Sequence, residues 1–309
     1  MVNIISGTAS RFLKDGETAF AFAPFDPSQK PYYIKPSAKT FAKKIAVNKK
    51  QKSTSKKQFT DLVKMIISSI RSGDFKKIVA ARVLAAAKPI SFDPVALFEK
   101  LCERYDSAFV SLTYIPGVGL WIGASPEVLV SETGTKLTTY SLAGTKAIDD
   151  PSDWSPKEIV EQKIVTDFIH KKLSKISTAK ISVKGPLTHE AGRLKHLLSV
   201  FTLKPKGKNL WDKVTKALHP TPAVAGMPQS KAVKFISREE PFDRSFYAGY
   251  LGPVNWNGKT DLFVNLRCIQ VTDSQLLFYA GCGITADSDP GKEWLESERK
   301  IEVIKSLID

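Results

Sequence analysis

The chain has 309 residues, in which 46 Lys and Arg outnumber 31 Asp and Glu and give a formal net charge of +15. Hydrophobic residues make up 42% and charged residues 25%, which is typical of a globular protein with one large domain or two ordinary ones, and we favour one. A membrane span is excluded, since no apolar run approaches the roughly 20 residues that it needs.

The N-terminus and the cysteines indicate a cytoplasmic protein. Residues 1–20 lack a basic head followed by a long apolar stretch, so we expect no secretory signal. Cys102, Cys268 and Cys282 are too few and too scattered for a disulfide framework or a zinc site.

The basic surplus suits either a nucleic-acid partner or an anionic small substrate. Much of it lies in two lysine-rich runs, 43–57 and 204–208, which predict exposed connections. Neither run contains aromatic residues for base stacking, and no helix-turn-helix or ribonucleoprotein signature is present. We therefore expect a small-molecule substrate, with no nucleic-acid and no membrane partner.

Residues 1–57 predict a short N-terminal strand segment, in FAFAPFD and YYI, and a lysine-rich connection that belongs to the same domain as the rest of the chain. From Phe59, apolar residues follow the i, i+3, i+4, i+7 pattern and predict a helix that stops at Gly73. The β-branched segment KIVAARVLAA then predicts a buried strand with Lys77 at its entrance.

A second helix is expected over 93–105, where Asp-Pro supplies an N-cap and a first-turn proline. Residues 109–146 predict consecutive antiparallel strands joined by short turns. Ser155 then opens a capping box in which the Glu158 carboxylate accepts from the Ser155 amide. Because this gives Glu158 a structural task, Glu161 is the stronger candidate ligand of the two.

The remaining pattern predicts an α+β fold. Helices come in runs between antiparallel strands instead of alternating singly with them, which favours packed layers over a doubly wound parallel sheet. In the C-terminal part we expect helices at about 208–217, 228–238 and 290–307, and strands at about 245–256, 261–271 and 275–283.

Two acidic clusters are the most informative local pattern. Glu158 and Glu161 form one pair and Glu293 and Glu296 the other, and side chains three residues apart project from the same helix face. Such an edge suits a hard cation, but the same spacing more often marks a solvated face. The spacing alone leaves both interpretations open.

Four further segments indicate function on local grounds. GASPE at 123–127 places Glu127 just beyond a Gly and Pro break, although an edge-strand glutamate is the commoner explanation. LAGTK at 142–146 and YAGCGI at 279–284 end strands in glycines, where backbone amides can meet an anion. HPTPAVAGMP at 219–228 is too rigid for an ordinary linker.

Taken in this order, the segments resemble the chorismate-utilising enzymes, a family that includes isochorismate, salicylate, anthranilate and aminodeoxychorismate synthases. The match covers about 58–307 and rests on KIVAAR, GASPE, LAGT, KEIVEQKIVTDFI, HPTPAVAGMP, FDRSFYAG, NLRCIQV, YAGCGITADSDP and EWLESERK. HPTPAVAGMP is most similar to isochorismate synthases, because amidotransferase-coupled members usually carry an FPxGxxxGxPK-like segment. The resemblance implies one large domain, an α/β/β/α sandwich of antiparallel sheets flanked by helices as in anthranilate synthase component I, with 58–309 as the chorismate-binding catalytic domain.

The resemblance also implies catalytic residues. Lys77 matches the general base and Glu127 the general acid of a reaction that adds water to chorismate at C2 and expels the C4 hydroxyl. Both roles need a neutral group near neutral pH, and burial favours the neutral form of each.

The remaining site residues are implied in the same way. Glu161 and Glu296 match Mg2+ ligands, and Glu158 and Glu293 match nearby carboxylates that bind the ion directly or through water. The implied substrate-binding positions are Tyr247, Arg267 and the Gly283 amide at the enolpyruvyl carboxylate, Lys300 and the Gly144-Thr145 turn at the ring carboxylate, and His196.

The leading prediction is a Mg2+-dependent isochorismate synthase of menaquinone or siderophore biosynthesis, acting as a monomer or weak homodimer. A salicylate synthase is the nearest alternative, and an anthranilate or aminodeoxychorismate synthase component I is less favoured. A protein that binds chorismate without catalysing a reaction is the alternative that is not an enzyme. The chain departs from the family in its short N-terminal part and in Cys282, which stands where alanine is often seen.

Overall fold

The structure is a computed structural model that describes residues 7–37, 47, 50–176, 180–191, 194–204 and 210–308. Much of the two predicted lysine-rich connections lies outside these residues. None of the helices in this part of the chain is long and apolar enough to cross a membrane.

The described helices and strands follow the predicted order. The helices are α1 (Lys56–Arg71), α2 (Pro94–Arg104), α3 (Pro156–Ile176), α4 (Leu210–Leu218), α5 (Gln229–Glu239) and α6 (Pro290–Lys305). The strands are β1 (Gly7–Ser10), β2 (Ala19–Ala23), β3 (Tyr32–Pro36), β4 (Lys77–Ala87), β5 (Phe109–Ile115), β6 (Gly119–Ser125), β7 (Val128–Thr133), β8 (Lys136–Ala147), β9 (Ser182–Ala191), β10 (Leu194–Leu203), β11 (Gly226–Met227), β12 (Tyr250–Val254), β13 (Thr260–Val264), β14 (Cys268–Val271) and β15 (Gln275–Ile284).

Two antiparallel sheets form the centre of the molecule. The nine-stranded sheet has the order β1-β3-β2-β12-β13-β7-β8-β10-β9, and the six-stranded sheet has the order β11-β4-β15-β14-β6-β5. Helices α3 and α4 pack on the larger sheet, and α1, α2 and α6 pack on the smaller one. The predicted α+β fold with a helix layer outside each sheet is confirmed.

The interior between the sheets is a continuous apolar core. Phe22 of β2 and Trp121 of β6 are fully buried, and their ring centroids lie 6.2 Å apart. Phe246 stacks on Phe22 at 4.3 Å, so aromatic side chains from both sheets interlock. This core fixes the distance between the two sheets that carry the site.

Helix α1 begins three residues before the predicted start. The Ser55 hydroxyl accepts a hydrogen bond from the Gln58 backbone amide, and the Gln58 side-chain oxygen accepts one from the Ser55 backbone amide. The two bonds complete a capping box. The apolar stripe that includes Phe59 and Ile66 is buried. Gly73 follows the helix with φ +89°, a backbone conformation that favours glycine.

Strand β4 is buried because it lies inside the smaller sheet. It pairs with β15 from Ile78 opposite Ile284 to Ala87 opposite Gln275, and Met227 of β11 lies opposite Lys77. The predicted buried strand with Lys77 at its entrance is confirmed.

The single strand predicted over 261–271 is wrong. The chain leaves the larger sheet at the end of β13 and enters the smaller sheet at β14, and between them Arg267 has φ +46°. The strand predicted from residue 245 also begins later, because Ser245 and Ala248 have φ +52° and +60° in a turn. Both left-handed turns let the backbone change direction beside the pocket.

The hairpin of β9 and β10 has no counterpart in the sequence prediction. Its pairing with β8 is irregular between Lys195 and Leu197. The residue at this bulge is His196, whose ring contacts the Gly144 carbonyl of β8.

Candidate active site

A pocket lies between the ends of the two sheets and the helices α3 and α6. It gathers side chains from segments that are far apart in the sequence. The predicted residues that line it are Glu127, Gly144, Thr145, Glu161, His196, Tyr247, Arg267, Gly283 and Lys300.

Lys77 joins this set through a buried ion pair. Its side chain is fully buried, and its Nζ lies 2.9 Å from Glu161 Oε1, in a direction that does not make a regular hydrogen bond. The pair neutralises a lysine that would otherwise be buried alone. A Cβ at Gly283 would lie 2.0 Å from Glu161 Oε1 and 2.8 Å from Lys77 Cε. Glycine at this position therefore leaves room for the pair in its present geometry.

Glu127 lies at the corner between β6 and β7 and is buried, not an edge-strand glutamate in solvent. Burial raises the pKa of its carboxyl to about 8, although the positive charges of Lys77 and Lys300 act in the opposite direction. The carboxyl therefore holds its proton in most molecules at neutral pH, which is the state that a general acid needs.

The starts of α3 and α6, which carry the two predicted acidic clusters, lie close together. Lys157 Nζ of α3 lies 2.9 Å from Glu293 Oε1 of α6, and Lys300 Nζ lies 2.7 Å from Glu296 Oε1. Burial raises the pKa of Glu293 to about 7. For Glu296 burial acts in the same direction, but Lys300 and Lys157 outweigh it and hold the pKa below its usual value.

The acidic cluster has the donors that a hard divalent cation prefers. Glu161, Glu293 and Glu296 come from two helices, and carboxylate oxygens are the usual protein ligands of Mg2+. The Glu293 Oε2 atom is buried without a hydrogen-bond partner among the described residues. A buried oxygen of this kind is available to a ligand, so the residues fit a magnesium ion.

Glu158 performs the predicted capping task. It accepts a 2.9 Å hydrogen bond from the Ser155 amide and another from the Ser155 hydroxyl. Its stem also lies against the Gly144 turn, where a Cβ at Gly144 would be 3.1 Å from Glu158 Cβ. The structure thus places Glu158 at the helix cap and against the Gly144 turn, and its role as a metal ligand stays a prediction.

The opposite side of the pocket carries a chain of polar contacts. His196 Nδ1 lies 2.8 Å from the Gly144 carbonyl oxygen, and Arg267 Nη2 donates to His196 Nε2 at 2.6 Å. Burial, aided by Arg267, holds the pKa of His196 well below its usual value, so the ring is neutral. A neutral ring that accepts at Nε2 carries its proton at Nδ1 and donates it to Gly144.

Arg267 remains a cation in this setting. Burial lowers the pKa of its guanidinium to about 10, which is still above neutral pH. Tyr247 is buried nearby, and a Cβ at Gly281 would lie 2.9 Å from its hydroxyl. Lys300 donates to the Gly281 carbonyl at 2.8 Å. Arginine, tyrosine and lysine together form a polar and cationic wall suited to carboxylates.

Two features of the site were outside the sequence prediction. Lys157 lies between Ser155 and Glu158 of the predicted capping box and has no predicted role, yet it is a largely buried cation among the acids. Burial opposes its charged form, but the glutamates outweigh burial and raise its pKa. Glu240 and Arg244 form a buried ion pair, in which Glu240 accepts from the Ala81 amide and Arg244 donates to the Val79 carbonyl, each at 2.8 Å. The i,i+4 spacing of Glu240 and Arg244 was the available signal.

Comparisons with known proteins agree with this geometry. Residues 28–309 match the family described as chorismate binding enzymes, and the chain belongs to that family. It is 29% identical over 311 residues to the salicylate biosynthesis isochorismate synthase of Pseudomonas aeruginosa, with 96% of this chain and 64% of that protein covered. The chain thus spans somewhat less than two thirds of that relative.

Solved structures show the same fold. A Bacillus anthracis protein assigned as a 2,3-dihydroxybenzoate-specific isochorismate synthase, DhbC, aligns with a TM-score of 0.81 and 29% identity over 94% of this chain and 83% of that one. MenF, the menaquinone-specific isochorismate synthase of Escherichia coli, aligns with a TM-score of 0.79 and 22% identity over 94% and 79%. The predicted membership of the chorismate-utilising enzymes, with isochorismate synthases among the similar proteins, is confirmed.

Proposed function

We propose that the protein is an isochorismate synthase, which adds water to chorismate at C2 and expels the C4 hydroxyl. The observation that carries the proposal is a buried amine, Lys77, beside a buried carboxyl, Glu127, whose pKa of about 8 keeps it protonated. The isochorismate synthases among its relatives support the same reaction.

In this mechanism Lys77 takes a proton from the attacking water, and the new C–O bond forms at C2. The ring double bonds shift, the C4–O bond breaks, and Glu127 gives its proton to the departing hydroxyl, which leaves as water. Lys77 and Glu127 are both buried before the substrate binds, so neither has to lose a shell of water on binding. The ion pair with Glu161 stabilises charged lysine, so the base role also needs Glu161 to be engaged by another cation.

We assign that cation as Mg2+, held by Glu161 and Glu296 with Glu293 and Glu158 beside them. When bound, Mg2+ supplies positive charge for the ring carboxylate of the substrate. The support is the meeting of α3 and α6 and the buried Glu293 oxygen without a hydrogen-bond partner in the described chain.

The substrate's two carboxylates are assigned to two walls. Arg267 and Tyr247, with the Gly283 amide, hold the enolpyruvyl carboxylate, and Arg267 is kept in place by His196. Lys300 and the Gly144-Thr145 turn face the ring side. The basic surplus of the whole chain assists by attracting a dianion.

The biological setting is part of the proposal. The relatives named above serve salicylate, 2,3-dihydroxybenzoate and menaquinone formation, and we place this protein in menaquinone or siderophore biosynthesis. We propose that it acts in the cytoplasm on the small substrate, as a monomer or weak homodimer, without a nucleic-acid or membrane partner.

The test is a product analysis. The protein is incubated with chorismate, with and without Mg2+, and the products are separated by chromatography. We expect isochorismate, dependent on Mg2+, and no release of pyruvate. Salicylate and pyruvate in equal amounts would identify a salicylate synthase instead, and anthranilate formed from added ammonia would identify an amine-transferring enzyme.

Variants link the products to residues. Lys77→Ala should abolish turnover while chorismate still binds, as followed by calorimetry. Unchanged turnover in Lys77→Ala would refute the assignment of the base, and Mg2+-independent turnover would refute the assignment of the cation.

A further inference from the structure

Cys282 of β15 lies beside the acidic residues Glu293 and Glu296 of α6. In β15 it stands between Gly281 and Gly283, which line the pocket, so the alternation of the strand turns its side chain towards α6. The thiol is fully buried and donates to the Glu293 carbonyl oxygen at 3.3 Å. One donor atom each from Cys282, Glu293 and Glu296 lie within 4.8 Å of one another.

A second observation is that one carboxylate oxygen of this cluster has no hydrogen bond in the described chain, the same oxygen that supports the magnesium assignment. Glu293 Oε1 is engaged by Lys157, but Glu293 Oε2 is buried and has no hydrogen-bond partner among the described residues, in a side chain only 4% exposed. Leaving a carboxylate oxygen buried and unpartnered is unfavourable. A bound cation would satisfy it.

We propose that Cys282, Glu293 and Glu296 bind a thiophilic divalent cation such as Zn2+. Mg2+ takes oxygen ligands and gains nothing from the sulfur, whereas a cysteine with two carboxylates is a donor set that zinc accepts, with a water molecule as the fourth ligand. Sulfur and oxygen stand roughly 3.5 Å apart around tetrahedral zinc, so the donors need only a small side-chain rotation to meet. The thiol proton leaves to solvent as the ion binds.

The consequence is a second cation that competes at the acids of the site. Zinc held by Glu293 and Glu296 removes carboxylates from the magnesium ion assigned above, so zinc inhibits. This inhibition rests on the proposed function, whereas the zinc site itself does not. Alanine at position 282 would leave two carboxylates and no sulfur, so the sulfur donor is specific to a chain with cysteine here.

The site is tested by metal titration of the full-length protein in the absence of chorismate. After treatment with a chelator, Zn2+ and Mg2+ are titrated by calorimetry, and Co2+ is titrated by absorbance to detect a thiolate-to-metal charge-transfer band. We expect the band in the wild-type protein. In Cys282→Ala we expect its loss and a zinc affinity lower by roughly tenfold or more, with Mg2+ affinity changed by less than about twofold.

Controls separate this site from other thiols and from a folding defect. Cys102→Ser, on the surface helix α2, should keep the band and the zinc affinity. Cys282→Ser keeps the size of the side chain and should show the same losses as Cys282→Ala, so the test stands even where the alanine variant does not fold. Equal zinc affinity in the wild-type protein and Cys282→Ser, or a band that depends on Cys102, would overturn the proposal.

The outcomes also separate the two proposals of function and site. A protein that binds zinc through Cys282 but forms no isochorismate would refute only the proposed function. A protein that forms isochorismate and shows no dependence of zinc binding on Cys282 would refute only the zinc site.

Discussion

The β6–β7 corner and helix α6 each bring a glutamate to the pocket, and the two carboxyl groups have different neighbours. Glu127 of the corner has no ion pair within the described part of the chain, and burial raises its pKa to about 8. Glu296 of α6 has the Lys300 ammonium at 2.7 Å, and Lys300 and Lys157 hold its pKa below its usual value despite burial.

The difference shows how one pocket can hold an acid and a metal ligand made from the same residue type. The balance between burial and the nearby positive charges decides whether a buried glutamate is ionised. The protonated Glu127 can give a proton to a leaving group, whereas the ionised Glu296 can coordinate a cation but has no proton to give.

The largest expected effect comes from removing the acid. Glu127→Gln keeps the size and hydrogen-bonding capacity of the side chain but has no proton to transfer. We expect turnover of chorismate to fall by roughly 10²- to 10⁴-fold, the range typical of a general acid. Steady-state kinetics and calorimetric binding of chorismate measure the two quantities, and turnover within tenfold of the wild type would remove Glu127 from the mechanism.

The glycine beside the base gives the next effect. Gly283→Ala places a Cβ 2.0 Å from Glu161 Oε1 and 2.8 Å from Lys77 Cε, so the buried Glu161 and Lys77 side chains must shift. We expect a loss of turnover of at least about tenfold, since a catalytic group misplaced by about 1 Å already costs more. Gly134→Ala is the matched control, because nothing lies within 4 Å of a Cβ in that turn. Equal kinetics for the two variants would show that the glycine does not position Lys77.

The cations of the cluster can be tested through stability. Lys157→Met removes the partner of Glu293 and leaves the buried acids with less positive charge. We expect the free energy of unfolding to fall by about 3 kcal/mol without metal, since breaking a buried pair strands a charge. Added Mg2+ should recover part of the loss, because the ion replaces the missing charge. Urea unfolding with and without Mg2+ measures both effects. If Mg2+ does not change the loss of stability, the assignment of the ion to these acidic residues is contradicted.

The effect that is smallest for each single step of the measurement is a dependence of stability on pH. The pKa of Glu127 in the folded protein, about 8, lies above the ordinary value of 4.5. Between these values the folded protein holds a proton that the unfolded chain has lost, so stability is greatest below the lower value and falls as pH rises. The slope is at most about 1.4 kcal/mol per pH unit.

Glu127→Gln removes this titration. Urea unfolding from about pH 5 to about pH 8 should therefore show the variant becoming more stable relative to the wild type as pH rises. If the difference in free energy of unfolding between the variant and the wild type stays constant across this range, Glu127 is ionised in the folded protein. That result would contradict the contrast between Glu127 and Glu296.

The sequence predicted much of the fold because local patterns specify it. The cap at Ser155 and Glu158, and the buried strand that starts at Lys77, depend on neighbours in the chain, and the structure contains both. The β9–β10 hairpin was not predicted, because β9 is largely exposed and contains the dipeptide Gly185-Pro186, which is typical of a turn.

The site was harder to predict because its electrostatics depend on packing. Lys157 and Glu293 are more than a hundred residues apart, and only the packing of α3 and α6 on the two sheets brings them together. The predicted 261–271 strand is interrupted at Arg267 because the chain moves there from one sheet to the other. The pattern of apolar residues along one segment does not show such a change of sheet.

The central claim is that water attacks C2 while Glu127 protonates the departing C4 hydroxyl. Turnover of chorismate in water labelled with oxygen-18, followed by mass spectrometry of the isolated product, tests it most directly. We predict isochorismate that carries one labelled oxygen, at C2, with an unlabelled oxygen lost from C4. Isochorismate without the label would show that the hydroxyl moves within the substrate, and would contradict the roles given to Lys77 and Glu127.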